Sequence, residues 1–403
     1  MKAGWVMKKL VDLCVIERGG SPRPIDTFIT DAPDGINWIK IGDTKNVTKY
    51  ITKTEEKIRP EGAKRSRMVF EGDFILSNSM SFGRPYIMKT TGCIHDGWLV
   101  LRAREPKINQ DYLYHVLGSD LVFSQFDRLA AGSTVRNLNI SLVQGVEIPI
   151  PSLPEQQRIV GILDEAFDGI ATAKANAEKN LQNARALFES HLQAVFTQHG
   201  EGWVETTLGA EVDLLAGFAF KSAGYTETDK SVRLLRGDNI VQGSLRWDDV
   251  KKWPASDTSE YSRYRLREGD VVLAMDRPWV KAGLKRATIS RADLPCLLVQ
   301  RVARLRAAAG LESSFLSYLI GCAAFTYHAL GVQTGIGVPH ISGQQIQDFK
   351  FLRPPVREQR IIAENLDALR AETQRLESIY RQKLAALDAL KKSLLDQAFS
   401  GLL

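Results

Sequence analysis

The sequence predicts an α+β protein in which two mixed α/β domains alternate with two long helices. Two observations support this fold class. A stripe of apolar residues at helical spacing, free of proline, runs from residue 155 to 196 and again from 358 to 399, at an offset of 203 residues. The chain before each stripe alternates short β-rich runs with turn residues. Because the same order occurs twice, the pattern indicates an internal duplication.

The long helices are the clearest elements in the sequence. Pro154 and Pro355 stand at their starts, where proline removes no internal hydrogen bond. Each helix would be about 60 Å long, and an apolar stripe of that length needs a partner. The first stripe comprises Ile159, Leu163, Ala166, Ile170, Ala173, Ala177, Leu181, Ala184, Leu187, Leu192 and Val195, and the second Ile362, Leu366, Leu369, Leu376, Tyr380, Leu384, Leu387, Leu390 and Leu394.

The two stripes differ in side-chain size, which favours pairing of one helix with the other. We therefore expect an intramolecular antiparallel coiled coil rather than a parallel dimer. The alternative is two unrelated amphipathic helices, each packed on its own domain. The alanines Ala166, Ala173 and Ala184 of the first copy correspond to the leucines Leu369, Leu376 and Leu387 of the second.

The globular parts also repeat their turns, although the loops between them vary in length. Short β-rich runs and one helical segment, from Tyr112 to about Ala130, make each part a mixed domain. We expect domains at residues 1–152 and 199–355, helices at 153–198 and 356–403, and a pseudo-twofold repeat. The recurring turns are Ile41-Gly42-Asp43 with Leu235-Arg236-Gly237-Asp238, Glu71-Gly72-Asp73 with Glu268-Gly269-Asp270, Arg84-Pro85-Tyr86 with Arg277-Pro278-Trp279, and Gly4-Trp5-Val6 with Gly202-Trp203-Val204.

Composition limits the class of protein without deciding it. The formal net charge of +6 favours an anionic partner. The four cysteines are scattered without metal-ligand spacing, which is typical of reduced thiols in the cytosol. No signal peptide or long apolar span is visible, so we expect a cytoplasmic protein that does not bind a membrane.

The signals of common enzymes are absent from the sequence. There is no GxGxxG or GxxxxGK[ST] phosphate-binding loop, no HExxH metal motif and no GxSxG nucleophile motif. The Asn/Asp-Pro-Pro-aromatic loop of amino-methylating DNA methyltransferases is also missing. The six histidines show no ligand spacing. These absences predict a non-catalytic protein with no metal site.

Several of these motifs, in this order, resemble those of one family. Over its whole length the chain resembles the specificity subunit of type I restriction-modification enzymes. The motifs that carry the resemblance are Pro154-Glu155-Gln156 and Glu358-Gln359-Arg360 at the helix starts, the C-terminal run from Lys391 to Gly401, Gly19-Gly20-Ser21-Pro22, and Gly217-Phe218-Ala219-Phe220-Lys221-Ser222.

The resemblance implies a function and a set of partners. Residues 1–152 and 199–355 would be target-recognition domains, and the helices 153–198 and 356–403 spacers. Together they would read a bipartite site in double-stranded DNA. Two methyltransferase subunits would dock on the helices and methylate adenine with S-adenosylmethionine, and restriction subunits would add ATP- and magnesium-dependent cleavage. This chain would have neither a catalytic centre nor a cofactor of its own.

Candidate DNA-binding residues lie in loops that follow the turns shared by the two repeats. Base readout needs side chains with paired donors or acceptors, and phosphate contacts need cations and hydroxyls. For Arg84 and Arg277, the alternative is an arginine stacked on Tyr86 or Trp279 of its own domain. The candidates are Thr44, Lys45, Asn46, Asn78, Ser79, Arg84, Tyr86, Ser133, Thr134, Arg136 and Asn137 in the first domain, and Asn239, Arg277, Trp279, Lys281, Gln333, Thr334 and His340 in the second.

Three other functions stay open at the level of sequence. An orphan or regulatory relative would bind DNA or the methyltransferase without supporting restriction, and only its neighbouring genes would distinguish it. A purely structural coiled-coil protein would bind other proteins through its globular halves and would lack strongly salt-dependent DNA binding. An unrecognised nuclease would reveal itself by metal-dependent cleavage.

Overall fold

The computed structural model describes residues 4–78, 83–104, 108–130, 137–198, 200–281, 283–335 and 337–403. The chain forms two compact units. Unit 1 comprises residues 1–178 and 381–403, and unit 2 comprises residues 179–380. Each unit therefore contains one globular domain and a part of each long helix.

Unit 1 contains short strands, short helices, the first part of one long helix and the last part of the other. Its strands are β1 Val6–Lys9, β2 Cys14–Arg18, β3 Ile36–Ile39, β4 Tyr50–Ile51, β5 Glu56–Ile58, β6 Arg67–Val69, β7 Phe74–Ser77, β8 Pro85–Met88, β9 Gly92–Ile94, β10 Trp98–Ala103 and β11 Glu147–Ile150. Its helices are α1 Leu10–Leu13, α2 Pro60–Ala63, α3 Gln110–Leu117, α4 Asp120–Ala130, α5 Ile140–Gln144 and the start of α6 Leu153–Thr197. The helical segment predicted from Tyr112 is thus two helices, interrupted at Gly118 and Ser119.

Alternation of side chains along the strands gives unit 1 two cores. Strands β2-β10-β7-β8-β4 form one sheet, β5-β3-β9-β6 another, and β1 pairs with β11. Leu99 and Leu101 of β10 face a core that includes the helices, whereas Trp98 and Val100 face a second core on the other side. Because successive strand residues point to opposite faces, an apolar run such as β10 is covered on both sides.

Unit 2 repeats this list of elements. Its strands are β12 Val204–Thr207, β13 Val212–Ala216, β14 Ser231–Leu235, β15 Lys252–Pro254, β16 Val271–Ala274, β17 Trp279–Val280, β18 Gly283–Leu284, β19 Arg286–Thr288, β20 Cys296–Leu298, β21 Val302–Ala307 and β22 Lys350–Arg353. Its helices are α7 Leu208–Glu211, α8 Ser313–Gly321, α9 Ala323–Val332, α10 Gly343–Gln347 and the first part of α11 Val356–Ser400.

The order of strands in unit 2 matches that in unit 1. Strands β13-β21-β16-β19 correspond to β2-β10-β7-β8, β15-β14-β20 to β5-β3-β9, and β12-β22 to β1-β11. The directions agree as well, because β3 with β9 and β14 with β20 are the parallel pairs at equivalent places. The predicted α+β class with a duplicated domain is confirmed.

The two long helices pack against each other in antiparallel orientation. In unit 1, Arg158 of α6 donates to the backbone oxygen of Leu403 at 2.8 Å, and Lys174 Nζ lies 2.7 Å from Asp388 Oδ1 of α11. Residue numbers therefore rise along one helix as they fall along the other. In unit 2, Arg185 of α6 pairs with Glu377 of α11 at 3.1 Å, in the same sense. The predicted intramolecular antiparallel pairing is confirmed.

A fully buried glutamine ties the start of each long helix to its domain. Gln156 Oε1 accepts from the backbone N–H of Asn109 at 2.8 Å, and its Nε2 donates to Pro151 O at 3.0 Å. Gln359 repeats this arrangement with the N–H of Glu312 at 2.8 Å and Pro354 O at 2.8 Å. The Glu-Gln motif at the helix starts is therefore structural, because only an amide can accept and donate at these two places.

The Glu-Gly-Asp turns hold an ion pair in both repeats. Asp73 binds Arg102 of β10 at 2.8 Å, and the buried Asp270 binds Arg306 of β21 at 2.7 Å. The glycine before each aspartate has a φ near +90°, which other residues rarely adopt. These carboxylates stabilise the sheet and are not available for chemistry.

One predicted correspondence between the repeats is wrong by one residue. Asp43 accepts from the N–H of Lys40 at 2.7 Å, at the start of a short 3-10 helix. At the equivalent place, Asn239 and not Asp238 accepts from the N–H of Arg236, at 3.0 Å. A side chain three residues after the N-cap can reach back to it, so aspartate and asparagine serve equally well.

We expect Gln156→Leu to lower the free energy of unfolding by about 1 to 3 kcal/mol, because it leaves the N–H of Asn109 and the oxygen of Pro151 buried without this partner. Gln157→Leu is the matched control, since Gln157 is exposed on the next position of the helix. Urea denaturation measures both. Equal stability of the two variants would show that the buried amide is unimportant.

A second prediction concerns His115 of α3, whose Nε2 lies 2.8 Å from Asp164 Oδ1. Burial lowers the pKa of His115 below 6.5, against the opposing effect of Asp164. The folded state therefore binds fewer protons than the unfolded state, and His115 contributes stability above pH 6.5 that is lost as the pH falls below it. Tyr318 stands at the equivalent place in unit 2 and donates to Asp367.

We expect His115→Tyr, which copies the second repeat, to reduce the loss of unfolding free energy below pH 6.5. His115→Gln tests the same point if the larger ring does not fit. Denaturation curves between pH 5 and 8 measure the slope. A slope equal to that of the wild type in both variants would contradict the assignment.

Candidate nucleic-acid interface

Four cations from separate loops of unit 2 line one cleft of about 420 Å³, called here the cationic cleft. Arg236 follows β14 and Arg277 is in the loop after β16, whereas Lys285 precedes β19 and Arg301 precedes β21. All four lie at or near strand ends, where loops can vary without disturbing the sheets. The lining also includes Phe220, Tyr225, Asp238, Asp276 and Gln300.

The carboxylates of the cleft do not balance its cations. Arg236 Nη2 lies 3.2 Å from Asp238 Oδ2, and Arg301 Nη1 lies 3.4 Å from Asp276 Oδ1. Within the part of the chain that the structure describes, the guanidinium of Arg277 has no carboxylate partner, and its side chain is exposed. The cleft therefore presents an arginine whose donors remain available to a ligand.

The pKa of Lys285 is lowered in this cleft, chiefly because its amine is partly buried. Burial lowers the pKa of its amine, and the neighbouring Arg246 and Arg277 lower it further, while Asp238 acts in the opposite direction. An anion in the cleft would stabilise the charged form of Lys285. The cleft is thus suited to a phosphate or to the acceptor edge of a base.

Two arginines of the cleft have unusual backbone conformations. Arg277 has a φ of 45° and Arg301 a φ of 66°, and they are the non-glycine residues with positive φ among those described. A residue with a Cβ in this region costs roughly 1 to 2 kcal/mol. Strain of this kind concentrates at functional sites, where the surroundings hold a side chain in a set direction.

Thr334, Pro339 and His340 are held beside Arg277 by backbone hydrogen bonds. Thr334 and His340 exchange two backbone hydrogen bonds, of 2.8 and 2.7 Å, and the N–H of Arg277 donates to Pro339 O at 2.7 Å. The ring of His340 bonds Asp276 at 2.6 Å. The structure thus brings together three of the residues predicted from sequence, Arg277, Thr334 and His340.

The Gly-Phe-Ala-Phe-Lys-Ser motif forms the aromatic wall behind the cleft. Phe220 packs on Phe218, Tyr261 and Trp253 with ring centroids 4.8 to 5.1 Å apart. Gly217 has no room for a side chain, because a Cβ there would lie 2.2 Å from the backbone oxygen of Val299. The motif is therefore a packing element that supports the loop before β21.

Other predicted residues of unit 2 differ in their exposure. Asn239 is buried and bonded to its own turn, so we remove it from the candidate surface. Trp279 is 41% exposed, and Lys281 and Thr334 are exposed. Gln333 is half-buried. No contact between the guanidinium of Arg277 and the ring of Trp279 occurs in the described structure, so the stacked alternative does not apply to this pair.

Three predicted residues of unit 1 are buried. Thr44 donates to the oxygen of Ile41 at 2.7 Å within its 3-10 helix, and Asn78 donates to the oxygen of Asp96 at 2.9 Å. Tyr86 lies inside the second core, edge-on to Trp98. Burial leaves none of the three side chains free to touch DNA, so we remove them too.

The remaining predictions in unit 1 are mostly exposed. Lys45 and Asn46 are exposed after the 3-10 helix, and Asn137 is half-buried. Arg84 is exposed, but its guanidinium lies over the ring of Tyr86 at 5.4 Å and donates to Val47 O at 3.2 Å. The stacked alternative therefore describes Arg84. Four candidates lie outside the described residues: Ser79, Ser133, Thr134 and Arg136.

Unit 1 has a cleft of mixed charge, with a volume of about 670 Å³, where unit 2 has cations. Lys40, the equivalent of Arg236, lines it and pairs with Glu56. Ser21 of the Gly-Gly-Ser-Pro turn donates to Asp96 at 2.7 Å, and this hydrogen bond lowers the pKa of Asp96. The two domains thus present different chemistry on a similar scaffold.

The sequence prediction missed Arg236, Lys285, Gln300 and Arg301. The available signal for Arg236 was that its turn recurs in both repeats, but that turn was interpreted as structural. Lys285 and Arg301 belong to loops without a recognisable motif, and only the fold brings them to Arg277.

The structure offers little support for other classes of site. In the described ranges, no group of three or more His, Cys, Asp or Glu side chains could hold a metal ion. No single described helix is long and apolar enough to cross a membrane, although α8 and α9 reach that composition as a pair bent by 60°.

Comparison with known proteins finds similarity to one family. The family model for the type I restriction modification DNA specificity domain matches residues 2–182. The chain is 36% identical over 201 residues to the type I restriction enzyme EcoAI specificity subunit of Escherichia coli. The chain is therefore similar to the specificity subunits of type I restriction-modification enzymes. In that family the specificity subunit is the non-catalytic subunit that recognises DNA.

Coverage differs among the relatives of this chain. The EcoAI match covers 50% of this chain and 34% of the relative. The MjaVIII specificity subunit of Methanocaldococcus jannaschii is 24% identical over 346 residues, which covers 83% of this chain and 80% of the relative. The similarity to that second relative therefore extends into both repeats of this chain.

A solved structure shares the fold of this chain. It was described as the structural basis of complex assembly and conformational transition of the type I R-M system, and it matches with a TM-score of 0.80. The match covers 99% of this chain and 98% of that chain, at 19% identity. At this identity the likeness concerns the fold alone.

The strain at Arg277 leads to a prediction for the stability of the protein. We expect Arg277→Gly to be more stable than Arg277→Ala by about 1 kcal/mol, because both lack the guanidinium and only alanine keeps a Cβ at positive φ. Urea denaturation of the two variants measures the difference. An alanine variant as stable as the glycine variant would show that the backbone is unstrained there.

Proposed function

We propose that this chain recognises a bipartite double-stranded DNA site for a type I restriction-modification enzyme, with one half-site read by each domain. The observation that carries this proposal is the cationic cleft, in which the exposed Arg277 has donors free for a ligand beside three further cations. The two domains share a scaffold and differ in the chemistry of their loops, which fits the reading of two different half-sites.

Arg277 is the residue best suited to read a base. Its guanidinium offers paired donors that match the O6 and N7 acceptors of guanine, and the strained backbone directs it. Gln300 in the same cleft could pair with adenine. Lys281 and Thr334 would contact phosphates, which positions the domain without reading sequence.

In unit 1 we propose Lys45 and Asn46 as the main contacts, since both are exposed after the 3-10 helix. Arg84 would have to leave the ring of Tyr86 to reach a base, so we assign it to the phosphate backbone. Ser79, Ser133, Thr134, Arg136 and Asn137 remain proposed contacts from their place in the sequence.

The proposal extends to the partners and the cell compartment. Residues 1–152 and 199–355 act as the target-recognition domains, and the paired helices form the surface on which two methyltransferase subunits dock. Those subunits supply adenine methylation with S-adenosylmethionine, and restriction subunits supply ATP- and magnesium-dependent cleavage. The assembly works in the cytoplasm, where the DNA is. An orphan or regulatory relative is the less favoured alternative, because no observation separates this chain from the specificity subunits it resembles.

We expect Arg277→Ala to lose discrimination at one base position at a cost of about 1 to 3 kcal/mol, or roughly 5- to 150-fold in affinity for the preferred sequence. Lys281→Ala should weaken binding by a similar factor to all sequences and reduce its salt dependence. The subunit, assembled with its methyltransferase subunits, selects from a library of randomised duplexes, and the bound fraction is sequenced at two salt concentrations.

Arg277→Lys is the control for charge, because lysine keeps the cation but cannot donate two fixed, parallel bonds. It should behave like the alanine variant at the affected base and like the wild type in salt dependence. A wild-type sequence preference in the alanine variant would refute the assignment of Arg277 to base readout.

A further inference from the structure

The contacts between α6 and α11 occur in two sets that the repeat relates to each other. The offset of 203 residues places position 174 on 377 and position 185 on 388. The ion pair between Lys174 and Asp388 in unit 1 therefore stands at the same place as the pair between Arg185 and Glu377 in unit 2. The contact is repeated, so the signs of its charges can be compared between the repeats.

The signs are exchanged between the two repeats. Lys174 of α6 corresponds to Glu377 of α11, and Arg185 of α6 corresponds to Asp388 of α11. Both cations thus lie on α6 and both anions on α11. A symmetric repeat would instead place one cation and one anion on each helix.

A second repeated contact shows the same asymmetry. Lys391 lies 4.8 Å from the ring centroid of Phe167 in unit 1, and Arg370 lies 5.0 Å from that of Phe188 in unit 2. The offset places 167 on 370 and 188 on 391, so both aromatic rings lie on α6 and both cations on α11. Arg370 also contacts the ring of Tyr318 at 4.6 Å.

We propose that these exchanged contacts specify pairing of α6 with α11 and oppose pairing of like helices from two copies of the chain. Two α6 helices in the same antiparallel register would place Lys174 against Arg185. Two α11 helices would place Glu377 against Asp388 and would also bring Arg370 and Lys391 to one another. Like charges in such positions are unfavourable, and they select among pairings that apolar stripes alone would allow.

This selectivity opposes a mispairing that the duplication makes possible, in which like helices of two chains pair with each other. Repeats with related apolar stripes can pair with themselves, and an exchange of helices between copies would join chains that should stay separate. The individual contacts are partly exposed, so each is weak by itself. Their discrimination comes from several contacts that are favourable in one pairing and unfavourable in the other.

The test uses full-length chains with unchanged net charge. In Lys174→Glu/Glu377→Lys, both ion pairs within a chain become repulsive, whereas both contacts between like helices become attractive. Lys174→Glu/Asp388→Lys is the matched control, because both pairs within the chain remain attractive. The quadruple variant carries Lys174→Glu, Arg185→Glu, Glu377→Lys and Asp388→Lys. It reverses every sign and restores attraction within the chain.

We expect the first variant to unfold at a temperature lower than that of the control by roughly 2 to 4 °C, and the quadruple variant to recover. Co-expressed tagged and untagged copies of the first variant should co-purify several-fold more than those of the control, and sedimentation should show the dimer. Both effects should decrease at high salt. The first variant behaving like the control, or the quadruple variant failing to recover, would overturn the proposal.

Discussion

The constraint on which this structure depends is the need of two 45-residue helices to cover their apolar stripes. A helix of that length is stable in water only when its apolar face is packed. Here each helix is covered by the other and by the domain at its start, where Leu163 and Leu366 are fully buried in the domain cores. The buried Gln156 and Gln359 then fix the direction in which each helix leaves its domain.

Because the helices and glutamines define the scaffold, the loops at the strand ends are free to diverge. The same Arg-Pro-aromatic turn illustrates this. Arg84 is held on the ring of the buried Tyr86, whereas Arg277 stands at positive φ in a cationic cleft beside an exposed Trp279. A shared scaffold with divergent loops presents different chemistry in the two domains while the sheets stay the same.

Periodicity and repetition were sufficient to predict the class, the duplication and the antiparallel pairing, because these depend on many residues in a regular pattern. The surface was harder to predict. Thr44, Asn78 and Asn239 follow turns, as surface residues often do, yet their side chains donate to backbone oxygens of the protein. The sequence does not distinguish this role from exposure to solvent. Arg301 lies near Arg277 only because of the fold, since 23 residues and four short strands separate them in the sequence. The role of the exchanged ion pairs likewise needed both the offset and the contacts.

The central claim, that this chain specifies a split DNA site for adenine methylation, is tested most directly by the pattern of modified bases it produces. The chain is expressed with its methyltransferase subunits in a host free of adenine methylation, and the genome is sequenced with detection of modified bases. The account predicts a bipartite motif with one methylated adenine in each half, absent when this chain is omitted. Methylation that is unchanged by the omission, or no methylation while an active methyltransferase co-purifies with the chain, would contradict it.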